Sequence, residues 1–251
     1  MLSRLLFQRP VLPRPARRSL AASVRAMSSA SVPVNTTGAA PSPDFFRDVV
    51  YVNALATGTR VPWDTQAPQP ALARVSQHLR GAVLDLGAGL GDNAIWVGSL
   101  PDVTSVTAVD VSPEAVAEAR KRLASAAQPP KAPVSFLVGD VFVLEPLLGE
   151  QRFDTLLDSA VFHCIGDDAT QARYLAAVTP YVKVGGIAIM LVFSDENPDP
   201  WRGPRRINAE QARKQWSEAG WRIESMAPDA VYKDIIREKD AHALLMVATK
   251  L

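Results

Sequence analysis

VLDLGAGLGDNA, residues 83–94, is an apolar run that breaks at Gly87, Gly89 and Gly91 and then returns to polar sequence. A short apolar strand running into glycines reads as a nucleotide-binding turn, where backbone must pass close to a ligand. Around it the pattern alternates. Strands are expected at 82–86, 105–109, 134–138, 155–157 and 187–193, with helical stretches such as SPEAVAEARKRLASAA and DATQARYLAAVTPYV between them. Such alternation predicts βαβ units and an α/β fold: a doubly wound, Rossmann-like sheet with helices on both faces. Two late strands, 221–225 and 242–249, have no helix between them and predict an antiparallel hairpin at the sheet edge. Seven strands result, mostly parallel.

In an open parallel sheet the ligand sits beyond the carboxyl ends of the strands. Four of the expected strands end in or beside an acid: Asp85, Asp110, Asp140 and Asp158. Carboxylates gathered around one crevice repel one another unless a ligand or hydrogen-bond donors neutralise them. The dinucleotide fingerprint needs a third glycine where this chain has Asp92. A carboxylate at that helix start opposes a pyrophosphate but not a cationic ligand. S-adenosylmethionine, with an ammonium and a sulfonium, resolves that conflict, whereas a nicotinamide-dependent oxidoreductase does not.

The amino-terminal stretch differs in composition. Residues 1–26 hold six arginines, with Leu2, Leu5, Leu6 and Phe7 interleaved, and no acid precedes Asp44. This is the composition of a mitochondrial or plastid transit peptide, and a start at Met27 would give a cytoplasmic form. Residues 27–42, rich in Ser, Pro, Thr and Ala, read as a linker, and 43–251 as a single domain with a helical cap over 43–80. The whole chain has 27 basic and 26 acidic residues, so removing the six arginines leaves 21 against 26. A mildly acidic body argues against a nucleic-acid partner. Apolar runs are too short to span a membrane. One cysteine, Cys164, and three scattered histidines predict no disulfide framework and no metal.

The chain resembles class I S-adenosylmethionine-dependent methyltransferases through VLDLGAGLGDNA, VTAVDVSPEAV, FLVGDV and VKVGGIAIMLVFSD. Within that group it is most similar to the thiopurine, thiol/halide and heterocyclic-toxin methyltransferase branch, through VPWDTQAPQPAL, FDTLLDSAVFHCI and FSDENPDPWRGPRRI. The resemblance implies a methyl acceptor that is a small molecule, attacked at S, O or N. It also implies that Asp85, the turn from Gly87 through Gly89 to Gly91, and Asn93 hold the methionyl part, with Asp158 nearby. Asp110 would take the ribose, Val111 and Val141 would flank the adenine, Asp140 would meet its amine, and Trp63 would cover the cofactor. His163 is the candidate general base, with Tyr51 behind it. Phe46, Tyr51, Phe162, Phe193 and Trp201 are candidates for the acceptor pocket. A protein that binds the cofactor without transferring a methyl is the non-enzymatic alternative.

Overall fold

In the computed structural model, residues 49–198, 204–235 and 240–251 are described. Seven strands form one sheet: β1 (Gly81–Leu86), β2 (Val103–Asp110), β3 (Val134–Val138), β4 (Phe153–Ser159), β5 (Val182–Phe193), β6 (Trp221–Tyr232) and β7 (Ala241–Lys250). Their order is β3-β2-β1-β4-β5-β7-β6. β1 to β5 run parallel, and β7 lies antiparallel between β5 and β6. The chain winds outward from β1 to β3, then reverses and starts again at β4 beside β1. This reversal opens the crevice at the carboxyl ends of β1 and β4, the place where doubly wound sheets hold ligands.

Helices α1 (Tyr51–Thr57), α2 (Pro70–Ala73), α3 (Asp92–Val97), α4 (Pro113–Ala124), α5 (Glu145–Leu148), α6 (Asp168–Val178) and α7 (Ala209–Glu218) surround the sheet. Ser112 caps α4 by accepting from the Ala115 N–H at 3.2 Å, with Pro113 at the first helical position. Asp167 and Asn208 cap α6 and α7 in the same way. One sheet face carries Val83, Ala108, Leu157, Leu191 and Leu245 against Leu72, Ala94, Val97 and Val116. The other carries Leu84, Leu156, Met190 and Met246 against Tyr174, Leu175 and Trp216. Burial on both faces explains why the central strands read as unbroken apolar runs.

Two expectations change. Within the helical cap expected over 43–80, the stretch before β1 is the single turn α2 followed by a 3-10 turn at Ser76–His78. Leu72, Val75 and Leu79 are all buried, but Leu79 is already extended so that the chain can enter β1 two residues later. β6 runs on past the expected 221–225 to Tyr232, with register shifts between Ile223 and Ser225 and between Ala227 and Ala230. Pro228 sits at the second shift, where an edge strand tolerates a missing N–H. Among the described residues no helix is long and apolar enough to cross a membrane.

Candidate active site

β1 ends at Leu86, and the chain passes through left-handed backbone at Gly87, Gly89 and Gly91 before α3 begins. At Gly89 the need for glycine is steric as well as conformational: a Cβ there would lie 2.8 Å from the Tyr51 hydroxyl. The amino-terminal cap therefore rests directly on the turn. Trp63 Nε1 donates to that same hydroxyl at 3.0 Å, and the two rings meet edge to face at 6.0 Å. The turn is held from the other side by Asp110, at the end of β2. Its carboxylate accepts from the Gly89 N–H at 2.7 Å and the Ser112 N–H at 2.9 Å. Burial raises the Asp110 pKa against these two donors.

Asp85 differs from Asp110 in what it lacks. It is 1% exposed, and its Oδ2 is buried with no hydrogen-bond partner. Burial, then the neighbouring Asp110 and Asp158 carboxylates, push its pKa well above the carboxylate range. A buried polar atom left unsatisfied costs about 1–3 kcal/mol, more for a charge. An ammonium group arriving at the crevice would remove that cost, so the donor set fits a cationic ligand.

Residues 84–188 match the family model for a methyltransferase domain. That stretch runs from β1 to the middle of β5 and carries the methyltransferase-domain pattern. Among solved structures, the chain is similar to a protein studied in the conversion of a disulfide bond into a thioacetal group during echinomycin biosynthesis. The two are 28% identical, the match covers 79% of this chain and 90% of that one, and the TM-score is 0.65. It also shares its fold with a SAM-dependent methyltransferase from Methanosarcina mazei, at 17% identity, 72% and 97% coverage and TM-score 0.58. Magnesium protoporphyrin IX methyltransferase from Synechocystis, solved with bound SAM, matches at 18% identity, 72% and 76% coverage and TM-score 0.52.

Several residues singled out in the sequence have other duties in the structure. Asp158 pairs in register with Leu86, so it faces the sheet side opposite Asp85. There it accepts from the Val161 and Phe162 N–H groups and from the Tyr174 hydroxyl at 2.8 Å, fully buried, and burial pushes its pKa up to about 6. It supports the loop after β4 and turns away from the crevice. Phe162 is also fully buried, between Tyr174 at 6.2 Å and Trp216 at 5.9 Å, and lines core, not a pocket.

His163 is 2% exposed, and its Nδ1 accepts from the Phe193 N–H at 3.0 Å. The neutral ring then carries its proton on Nε2, and burial lowers its pKa to about 3. A ring so placed ties the β4 loop to β5 and is a poor general base. Asn93 Oδ1 accepts from the Gln69 N–H at 3.0 Å, at the start of α2. Asp92 is paired with Arg122 at 2.9 Å, so its charge is spent inside the protein and is not offered to a ligand.

Asp140 forms a tight turn by accepting from the Phe142 N–H at 2.9 Å, with Val111 and Val141 half-buried beside the ends of β2 and β3. Phe193 closes β5 on the Asp85 face, its ring 4.4 Å from His163 and 5.1 Å from Tyr232. Phe46 and Trp201 lie outside the described residues. Two residues that sequence reading passed over join the crevice face. Ser159 lies two positions beyond Leu157, the partner of Asp85. Its Oγ is buried without a satisfying hydrogen bond and neighbours the Tyr232 hydroxyl. Strand alternation from Leu157 would have found Ser159. Nothing local marks Tyr232, because its place depends on β6 pairing with β7.

Proposed function

We propose that this protein transfers a methyl group from S-adenosylmethionine to a small acceptor at S, O or N, within the thiopurine, thiol/halide and heterocyclic-toxin branch. The unpartnered, buried Asp85 Oδ2 beside the glycine turn carries this reading. When bound, the cofactor supplies a methyl group activated by a sulfonium, open to in-line displacement. In this reading Asp85 and the turn from Gly87 to Gly91 hold the methionyl end, and Asp110 takes the ribose. Asp140, with Val111 and Val141, meets the adenine. Trp63 and Tyr51, resting on the turn, exclude water and hold reactants in line, the main lever for such a displacement.

Because His163 is neutral, buried and donor-oriented, the acceptor should need no strong base, which favours a soft nucleophile such as a thiol. The sulfur chemistry of the echinomycin relative supports the same choice. The mildly acidic body favours a small acceptor over a nucleic acid. On the same reading residues 1–26 are an organelle transit peptide.

The direct test offers labelled S-adenosylmethionine with thiols, halides, phenols and N-hydroxy heterocycles. Turnover is expected with at least one class, thiols foremost. Cofactor binding without turnover of any class would overturn the transferase reading.

A second prediction concerns pH. The pKa of Asp85 is raised in the free protein, whereas a cationic ligand prefers its ionised form. Cofactor binding should therefore release a proton wherever the free Asp85 carboxyl is still protonated. Affinity should rise with pH, by at most about tenfold per unit for one linked proton, and level off once Asp85 is ionised unaided. Calorimetry in two buffers of different ionisation heat measures the proton count. Asp85→Asn should remove the linkage, and its persistence in that variant would assign it to another group.

A further inference from the structure

We propose that Arg122, which no cofactor motif contains, is a positioning residue for cofactor capture, acting through the segment of chain that crosses the glycine turn. The proposal rests on the cofactor reading above. Arg122 stands in the last turn of α4 with its side chain 19% exposed. Its guanidinium forks onto Asp64, with Nη1 to Oδ1 at 2.9 Å and Nη2 to Oδ2 at 3.0 Å. The same Nη1 donates to both oxygens of Asp92, at 3.1 and 2.9 Å. Arg60 adds a looser contact to Asp64 at 3.5 Å, and Glu118 lies 3.8 Å from Arg122 Nε. One cation thus joins an acid of the cap to the acid that opens α3. Without it, two carboxylates with 6% and 22% exposed side chains would face each other across little solvent.

What this pairing positions is visible on either side of Asp64. Trp63, the preceding residue, bonds to the Tyr51 hydroxyl that covers Gly89. Further along the same segment, the Gln69 N–H is held by Asn93, next to Asp92. The Gln69 side chain then bonds to Lys233 in both directions, donating to its carbonyl at 3.1 Å and accepting from its N–H at 2.8 Å. The Ile235 N–H donates to the Pro62 carbonyl at 2.7 Å. Residues 60–69 are therefore a strap tied to the glycine turn and to the chain after β6. Arg122 is its charged fastening. Releasing it moves Trp63 and Tyr51 off the turn that holds the cofactor.

The test uses the full chain and S-adenosylhomocysteine as probe, with affinity read by calorimetry well below each variant's melting temperature. Arg122→Met should weaken binding by about tenfold or more, since it leaves Asp92 unpaired and Asp64 with only its Arg60 contact, both poorly solvated. Arg122→Lys should fall between, because a point charge cannot fork onto Asp64 and reach Asp92 together. Asp64→Asn should resemble Arg122→Met, while Asp92→Asn, which keeps the forked pair, should lose less than about threefold. Adding Asp92→Asn to Arg122→Met should restore part of the loss by removing the repulsion.

A folded Arg122→Met protein that binds within about twofold of the parent would overturn the proposal, leaving Arg122 a purely structural residue. If that variant does not fold, Asp64→Asn decides, and parental affinity there has the same meaning. An equal or larger loss in Asp92→Asn would also overturn it, by giving Asp92 a direct role at the ligand. A parent protein that does not bind the probe at all would instead sink the cofactor reading.

Discussion

Gly91→Ala should lower stability by about 3 kcal/mol and the melting temperature by roughly 6–12 °C, measured by thermal unfolding without ligand. Two separate effects add at this position. The backbone sits at φ +87°, which costs a residue with a side chain about 1–2 kcal/mol. A Cβ there would lie 2.7 Å from Phe136 Cζ and 2.9 Å from Ala119 Cβ, inside the packed layer between α3, α4 and β3. Neither neighbour is the free end of a flexible chain, so overpacking adds about 1–3 kcal/mol. Shortening the ring in a Gly91→Ala/Phe136→Leu double variant should recover part of the loss. A melting temperature within about 2 °C of the parent would show that the turn relaxes freely and does not need glycine here.

Asp110→Ala should weaken S-adenosylmethionine binding by about a hundredfold, again by calorimetry. The carboxylate is asked to do two things at once. It holds the buried N–H groups of Gly89 and Ser112, which alanine would leave without acceptors. It is also the residue assigned to the ribose hydroxyls. Asp110→Asn separates these roles, because an amide oxygen still serves one backbone donor while the negative charge is gone. Affinity within about twofold of the parent in Asp110→Ala would remove the ribose assignment. Full affinity in Asp110→Asn alone would show that holding the turn, and not charge, is what matters.

The parts of the candidate site that are legible in the sequence are those with local signatures. Gly87, Gly89 and Gly91 follow a strand and precede a helix, and Asp85 and Asp110 end their strands, so order along the chain alone brings them to one crevice. The acids that seemed equivalent in the sequence separate in the structure. Asp85 and Asp110 share one face of the sheet, but Asp158, in register with Leu86, points to the other and is taken up by Tyr174. Asp92 drew attention as a charge that favours a cationic ligand, yet Arg122 neutralises it from α4, thirty positions later. Paired in this way, Asp92 no longer opposes a pyrophosphate, and the unpaired Asp85 is the acid that favours a cation. His163 and Phe162 failed as site residues for the same reason: both are buried by elements distant in sequence.

By itself, then, the sequence determined the α/β class, the seven strands with their antiparallel edge and the glycine turn. Strand periodicity and turn chemistry are local properties that a short stretch of chain cannot hide. The tertiary structure alone decided which carboxylates remain unpaired, where the cap lies and which aromatic rings reach the crevice. Those outcomes depend on side chains from separate elements competing for the same buried charges and the same faces. Asp64 with Arg122, Gln69 with Lys233, and Tyr51 over Gly89 are pairs that only folding brings together.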